Sequence, residues 1–145
     1  MGARPLQEPC RGEIFAIKTN AVACREARDH HWIVLTPEAV NRLGMTLCAV
    51  IATGAKGTRA TGLTVQVAAA GVTGVAICTQ VRSFDLVARL RNGSATRVGM
   101  ASAEVMDEIA ARIASLIEPV VPAPQSALGH SARVVKPSRP GRGTP

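Results

Sequence analysis

The sequence predicts a mainly β domain: a small barrel of short strands, interrupted by one short helix and closed by a C-terminal capping helix. Three observations carry that expectation. Short segments alternate apolar and polar residues with period two, most strictly at Leu63-Thr64-Val65-Gln66-Val67 and again from Val75 to Val81. A single brief stretch, Thr36 to Gly44, carries helix punctuation of its own. Only Ser102 to Glu118 sustains an apolar stripe at helical spacing over several turns. Many short strands with one long helix at the end fit a small β barrel.

Taken in order, residues 1–10 hold Gly2, Pro5 and Pro9 with mixed charge and read as a lead-in. A first strand is expected from Glu13 to Thr19. Asn20 to His31 has no apolar period and concentrates Arg25, Glu26, Arg28, Asp29, His30 and His31, the composition of a polar loop. Trp32-Ile33-Val34-Leu35 reads as a short buried strand. In the helix that follows, Thr36 can cap the N-terminus, Pro37 suits the first helical position, and Gly44 can take the left-handed conformation that ends it. Thr46 to Ala52 is an apolar strand, and Thr53 to Gly62 is a Gly/Thr-rich loop carrying Lys56 and Arg59.

The stretch Gly74 to Asp85 reads as the central strand. Its alternation sets Thr79 and Gln80 on opposite faces and delivers Arg82 and Asp85 to its exit. Leu86 to Gly93 is expected to be a connector and Ala95 to Gly99 a last strand. Ser102 then caps an amphipathic helix whose one face carries Val105, Ile109, Ile113 and Leu116, with Glu104, Asp107 and Glu108 early in it, as the helix dipole favours. Pro119 to Pro145 holds six of the nine prolines and no acid and reads as a disordered tail. The expected organisation is thus a lead-in at 1–10, one folded domain at 11–118 and a basic tail at 119–145.

A chain of 145 residues and 15.1 kDa has room for one modest core. With 47% hydrophobic but only 2% aromatic residues and no tyrosine, that core must be aliphatic, and an aromatic platform for stacked bases is disfavoured. The net charge of +7 and pI near 10.3 fit a polyanionic partner, yet Arg133, Lys136, Arg139 and Arg142 place four of those charges in the tail. The remaining charge suits ordinary solubility equally well. Cys10, Cys24, Cys48 and Cys78 show no paired spacing and no histidines at zinc-finger distance, so no metal and no cofactor are expected and the cysteines are expected to be reduced. No run reaches the roughly 20 apolar residues of a bilayer span. A cytoplasmic location without a membrane follows as an expectation.

Beyond these patterns, Gln80-Val81-Arg82-Ser83 followed by Asp85, Arg11-Gly12-Glu13 upstream, and Asn41-Arg42-Leu43-Gly44-Met45-Thr46-Leu47 between them resemble, in order and spacing, the MazF/PemK/ChpB family of toxin endoribonucleases. The ChpB branch is the most similar. The resemblance runs from about Arg11 to Glu118. It implies an SH3-like barrel that pairs as a homodimer, cleaves single-stranded mRNA without a metal, and is held in check by an antitoxin protein. It further implies that Glu13 lies near an RNA groove and that Gln80 and Arg82 belong to the strand lining it.

Metal-free RNA cleavage by internal transfer needs a base for the 2′-hydroxyl, charge stabilisation at the phosphorane, and an acid for the departing 5′ oxygen. The family draws these from an Arg in its first loop and a Thr after its third strand. Here the Arg position holds His30, followed by His31 in place of a Pro, and the Thr position holds Ala52. His can serve as base or acid near neutral pH but lacks the permanent charge and the fork of Arg, which Arg25 or Arg28 can supply. Thr53 can replace the lost hydroxyl where the strand has already ended, since one residue along a strand reverses the face.

The candidate catalytic residues are therefore His30, Thr53, Arg25 and Arg28. The candidate RNA-binding residues are Glu13, Lys56, Arg59, Thr79, Gln80 and Arg82. An alternative is a catalytically impaired member that dimerises and binds antitoxin or RNA without efficient cleavage. A gyrase-directed toxin on a related barrel is disfavoured, because Ile113 to Glu118 lacks the terminal Trp-Gly-Ile of that group.

Overall fold

The computed structural model describes residues 7–18, 30–53, 62–69 and 71–118. Six strands form one curled antiparallel sheet, a half-barrel: β1 (Glu13–Ile17), β2 (His30–Val34), β3 (Thr46–Ala52), β4 (Thr64–Ala69), β5 (Val72–Phe84) and β6 (Ala95–Met100), in the spatial order β4-β5-β3-β2-β1-β6. Among the described residues three helices accompany it: α1 (Glu38–Asn41), α2 (Leu86–Arg91) and α3 (Ala103–Ile117).

Alternation along the strands divides the apolar residues between two faces, and each face has a cover. On one, Ile14, Ile33, Ala49, Ile51, Val65 and Val67 meet Met106 and Ile109 of α3. On the other, Phe15, Ile17, Trp32, Val34, Cys48 and Val50 meet Leu86 of α2. Side chains of this size contribute about 1.5–3 kcal/mol each when fully buried, so strand register is strongly set wherever both faces are apolar. Ser102 caps α3, its hydroxyl accepting from the Val105 amide at 3.4 Å. Arg11, two residues before β1, is tied to α3 by pairing with Asp107 at 3.2 Å.

β5 is the element that shapes the sheet. Ala49 of β3 faces Val81, but Ile51, two residues later, faces Ala76, so Ile77 to Gln80 bulge opposite Val50. Up to Ile77 β5 also pairs with β4, and from Val81 onward it pairs only with β3. Gly74 permits the close approach there: a Cβ at this position would lie 2.7 Å from the Ala52 carbonyl oxygen and 2.9 Å from Ile51 Cγ2.

Four expectations are corrected by this arrangement. The stretch after Asp85 is a helix, because the Asp85 carboxylate accepts from the Ala88 amide at 2.9 Å and Leu86 is buried against the sheet. β1 stops at Ile17. His30 and His31 belong to β2, where they pair with Ile17 and Ala16. Pro37, not Thr36, stands at the N-cap of α1, because the Thr36 hydroxyl donates to Asn41 Oδ1 at 2.6 Å and accepts from the Leu47 amide at 3.1 Å. Gly44 ends that turn at φ +85°, as its left-handed role requires. The tail and the expected lead-in before Gln7 lie outside the described residues.

Candidate active site

Three chain segments meet at one end of the sheet. β2 begins there with His30, β3 ends there at Ala52, and the β5 bulge delivers Ile77 and Gln80. Together they line a cavity of about 310 Å³, whose apolar floor is Val50, Ile51, Ala52 and Ile77 and whose polar groups are His30, His31, Thr53 and Gln80. That size lies at the lower end of ordinary small-ligand sites. Thr53 follows the last residue of β3, so the face rule of the strand does not bind it, and it lines the same cavity as His30. An imidazole, a hydroxyl and a carboxamide in one concavity provide a proton acceptor and neutral hydrogen-bond donors.

The floor continues along the same face of β5. The Arg82 guanidinium carbon lies 6.0 Å from the ring centroid of Trp32, and that ring meets Phe84 edge-on at 4.8 Å. Trp32 is buried, and its indole N–H has no hydrogen-bond partner among the described residues. Arg82 is exposed and holds its positive charge toward solvent.

The other candidates fall differently. Glu13 does not reach this cavity: it stands at the far end of β1, opposite Met100, whereas His30 pairs with Ile17. Its carboxylate accepts from the Cys10 amide at 2.8 Å and from Arg97 Nε at 3.0 Å, so both oxygens serve the fold. Thr79 lies on the opposite side of β5 from Gln80, on an apolar groove beneath α3. Arg25, Arg28, Lys56 and Arg59 lie outside the described residues.

Charge is distributed unevenly. Arg11, Arg42, Arg97 and Arg112 are each paired with carboxylates of the N-terminal segment, α1, β1 or α3. Lys18, Arg82, Arg89 and Arg91 make no ion pair among the described residues and belong to the end of β1, to β5 and to α2.

The groove under α3 has a volume of about 640 Å³ and is lined by Leu47, Cys78, Val81, Ile113, Leu116 and Ile117 among others. Leu116 is 45% exposed and Ile117 76%. The apolar stripe of α3 was legible in the sequence, but that its last turn overhangs the sheet was not.

The family described as PemK-like, MazF-like toxin of type II toxin–antitoxin system matches residues 10–117. The endoribonuclease toxin ChpB of Escherichia coli K12 is 40% identical over 88 residues, which cover 59% of this chain and 72% of that one. Among solved structures, MazF in the MazE–MazF complex (Form-I) of Deinococcus radiodurans superposes with a TM-score of 0.61 at 25% identity, over 77% of this chain and 97% of that one. An endoribonuclease bound to its cognate antitoxin, from a mycobacterial species, shares the fold at 15% identity, with a TM-score of 0.59 over 77% of this chain and 97% of that one.

Proposed function

The chain belongs to the PemK-like, MazF-like toxins of type II toxin–antitoxin systems, and from that premise we propose that it is a metal-independent endoribonuclease that cuts single-stranded mRNA at the cavity holding His30. The observation that carries this reading is the convergence of His30 from the start of β2, Thr53 from the end of β3 and Gln80 from the bulge of β5 on one concavity.

The chemistry follows from those groups. The His30 imidazole takes the proton of a ribose 2′-hydroxyl, and the freed oxygen attacks the adjacent phosphorus. Negative charge grows on the phosphorane oxygens, where the Thr53 hydroxyl and the Gln80 carboxamide donate hydrogen bonds. Arg25 or Arg28 supplies the permanent charge that His30 lacks in the family's Arg position. The bond from phosphorus to the 5′ oxygen then breaks, that oxygen leaves with the proton returned by the imidazolium, and the products are a 2′,3′-cyclic phosphate and a 5′-hydroxyl. Arg82, Lys56 and Arg59 hold flanking phosphates.

A homodimer accompanies this reading. The groove under α3 is open beside the projecting Leu116 and Ile117, so one copy can seat its ridge in the groove of the other about a two-fold axis. β5 would then serve the interface with Thr79 and Val81 and the RNA with Gln80 and Arg82. An antitoxin is the expected inhibitor, since the solved relatives include MazE–MazF complexes.

The test is to incubate the purified protein with a long single-stranded RNA in the presence of a chelator and to map the new ends. Discrete cuts bearing 5′-hydroxyls support the proposal. A folded protein that cuts nothing supports instead a binding member of the family, a reading favoured by Ala52 standing where the family has its Thr.

A further inference from the structure

A second polar cavity, of about 460 Å³, lies at the other end of the same β5 face. It is lined by Lys18 from the end of β1, Ser83 and Asp85 from the end of β5, Arg89 of α2, and Asn92 and Ser94 from the turn after α2. Its construction is fixed by contacts within the fold. The Lys18 amide donates to the Ser94 carbonyl at 2.9 Å, and Arg89 donates to the Lys18 carbonyl at 3.3 Å while its guanidinium carbon lies 5.3 Å from the Phe84 ring centroid. The Asp85 carboxylate is engaged by the Ala88 amide. Two cations against one occupied carboxylate, with two hydroxyls and a carboxamide, give the site the character of an anion receptor.

Its position indicates which anion. Gln80 lines the His30 cavity, Phe84 lines this one, and Arg82 lies between them on the same face of β5 over Trp32. Four residues of strand span about 13 Å, too far for one phosphate and within reach of successive phosphates of an extended strand. We propose that the Lys18–Arg89 cavity is a phosphodiester subsite for the same RNA strand, gripping its backbone a short distance from the bond being cut. The proposal rests on the ribonuclease reading and adds what sets the footprint: the enzyme holds RNA beyond the cleaved step by charge, without reading the base there.

Binding of uncleavable 2′-O-methyl RNA tests it, with fluorescence anisotropy on a short oligomer confined to the His30 cavity and a longer one extending along β5 in either direction. Lys18 is exposed, so Lys18→Ala leaves the core intact. The longer oligomer is expected to bind the native protein more tightly than the short one. Lys18→Ala should remove roughly three- to tenfold of that difference and lower the salt slope by about 0.7. Lys18→Arg should restore both, and the short oligomer should bind all three proteins equally. A difference between oligomers that is absent, or unchanged in Lys18→Ala, overturns the subsite while leaving the ribonuclease reading standing. A native protein that binds neither oligomer overturns the ribonuclease reading, and the subsite with it.

Discussion

Arg97 Nε donates to Glu13 Oε1 at 3.0 Å, joining β6 to the start of β1 across 84 positions of sequence. The same guanidinium lies over the Phe15 ring, its carbon 5.6 Å from the centroid, and reaches the Gln7 carbonyl. Glu13 is only 9% exposed and its second oxygen holds the Cys10 amide, so the pair ties the start of β1 to β6 and to the segment before it. Glu13→Ala is expected to cost about 1–3 kcal/mol in urea unfolding, below a fully buried pair because Arg97 stays partly hydrated. RNA cleavage per folded molecule should stay within about twofold. A large loss of cleavage with unchanged stability would put Glu13 back in the RNA groove.

His30→Ala should lower the cleavage rate by roughly 10²–10⁴-fold, the range expected for loss of a general base, with an unchanged melting curve. Thr53→Val keeps the shape and removes the hydroxyl, and a smaller loss is expected. Unchanged cleavage in His30→Ala would remove the imidazole from the mechanism.

Leu116→Glu places a charge on the ridge beside the apolar groove. Sedimentation should show a shift from dimer to monomer at micromolar concentration, since a buried unpaired carboxylate opposes association. A dimer that persists would place the interface elsewhere.

Gly74→Ala introduces a methyl group at 2.7 Å from the Ala52 carbonyl oxygen, backbone that cannot turn away. The expected cost is about 1–3 kcal/mol. Because β3 must shift just before Thr53, cleavage should fall as well, which separates this variant from Glu13→Ala.

Burial pushes the Cys48 thiol from 9.0 up to about 12. A group whose folded pKa lies above its unfolded one contributes stability that is complete below the unfolded value and is lost as pH rises through the folded one. Unfolding free energy should therefore decline from about pH 9 toward pH 12, and alkylation mapped by mass spectrometry should reach Cys48 only through unfolding. Rapid modification of Cys48 in the native protein at neutral pH would contradict its burial.

The strands and the long helix were legible because their signals are local. Thr46 to Ala52 announces itself by composition, Ser102 by its place before an apolar stripe, and Gly44 by following a helical turn. α2 was missed because its cap, Asp85, sat at the end of a strand pattern, and six residues are too few to display a period. Thr79 and Gln80 were correctly set on opposite faces, since that follows from period two alone. Glu13 illustrates the limit: a strand-start carboxylate reads alike whether it faces RNA or an arginine 84 positions away.

The sequence by itself determined the apolar centre of each strand, which face of it is buried, and the family to which the ordered segments' spacing points. Only the tertiary structure decided that Glu13 is an internal ion-pair partner, that His30, Thr53 and Gln80 share a concavity, and that Lys18 and Arg89 share another. The physical reason is that alternation and capping act between neighbours in the chain, whereas these sites are formed by the β5 bulge and by the antiparallel registers of β1 with β2 and β6. Those registers are fixed by burying both faces of the sheet at once, a condition that no single segment contains.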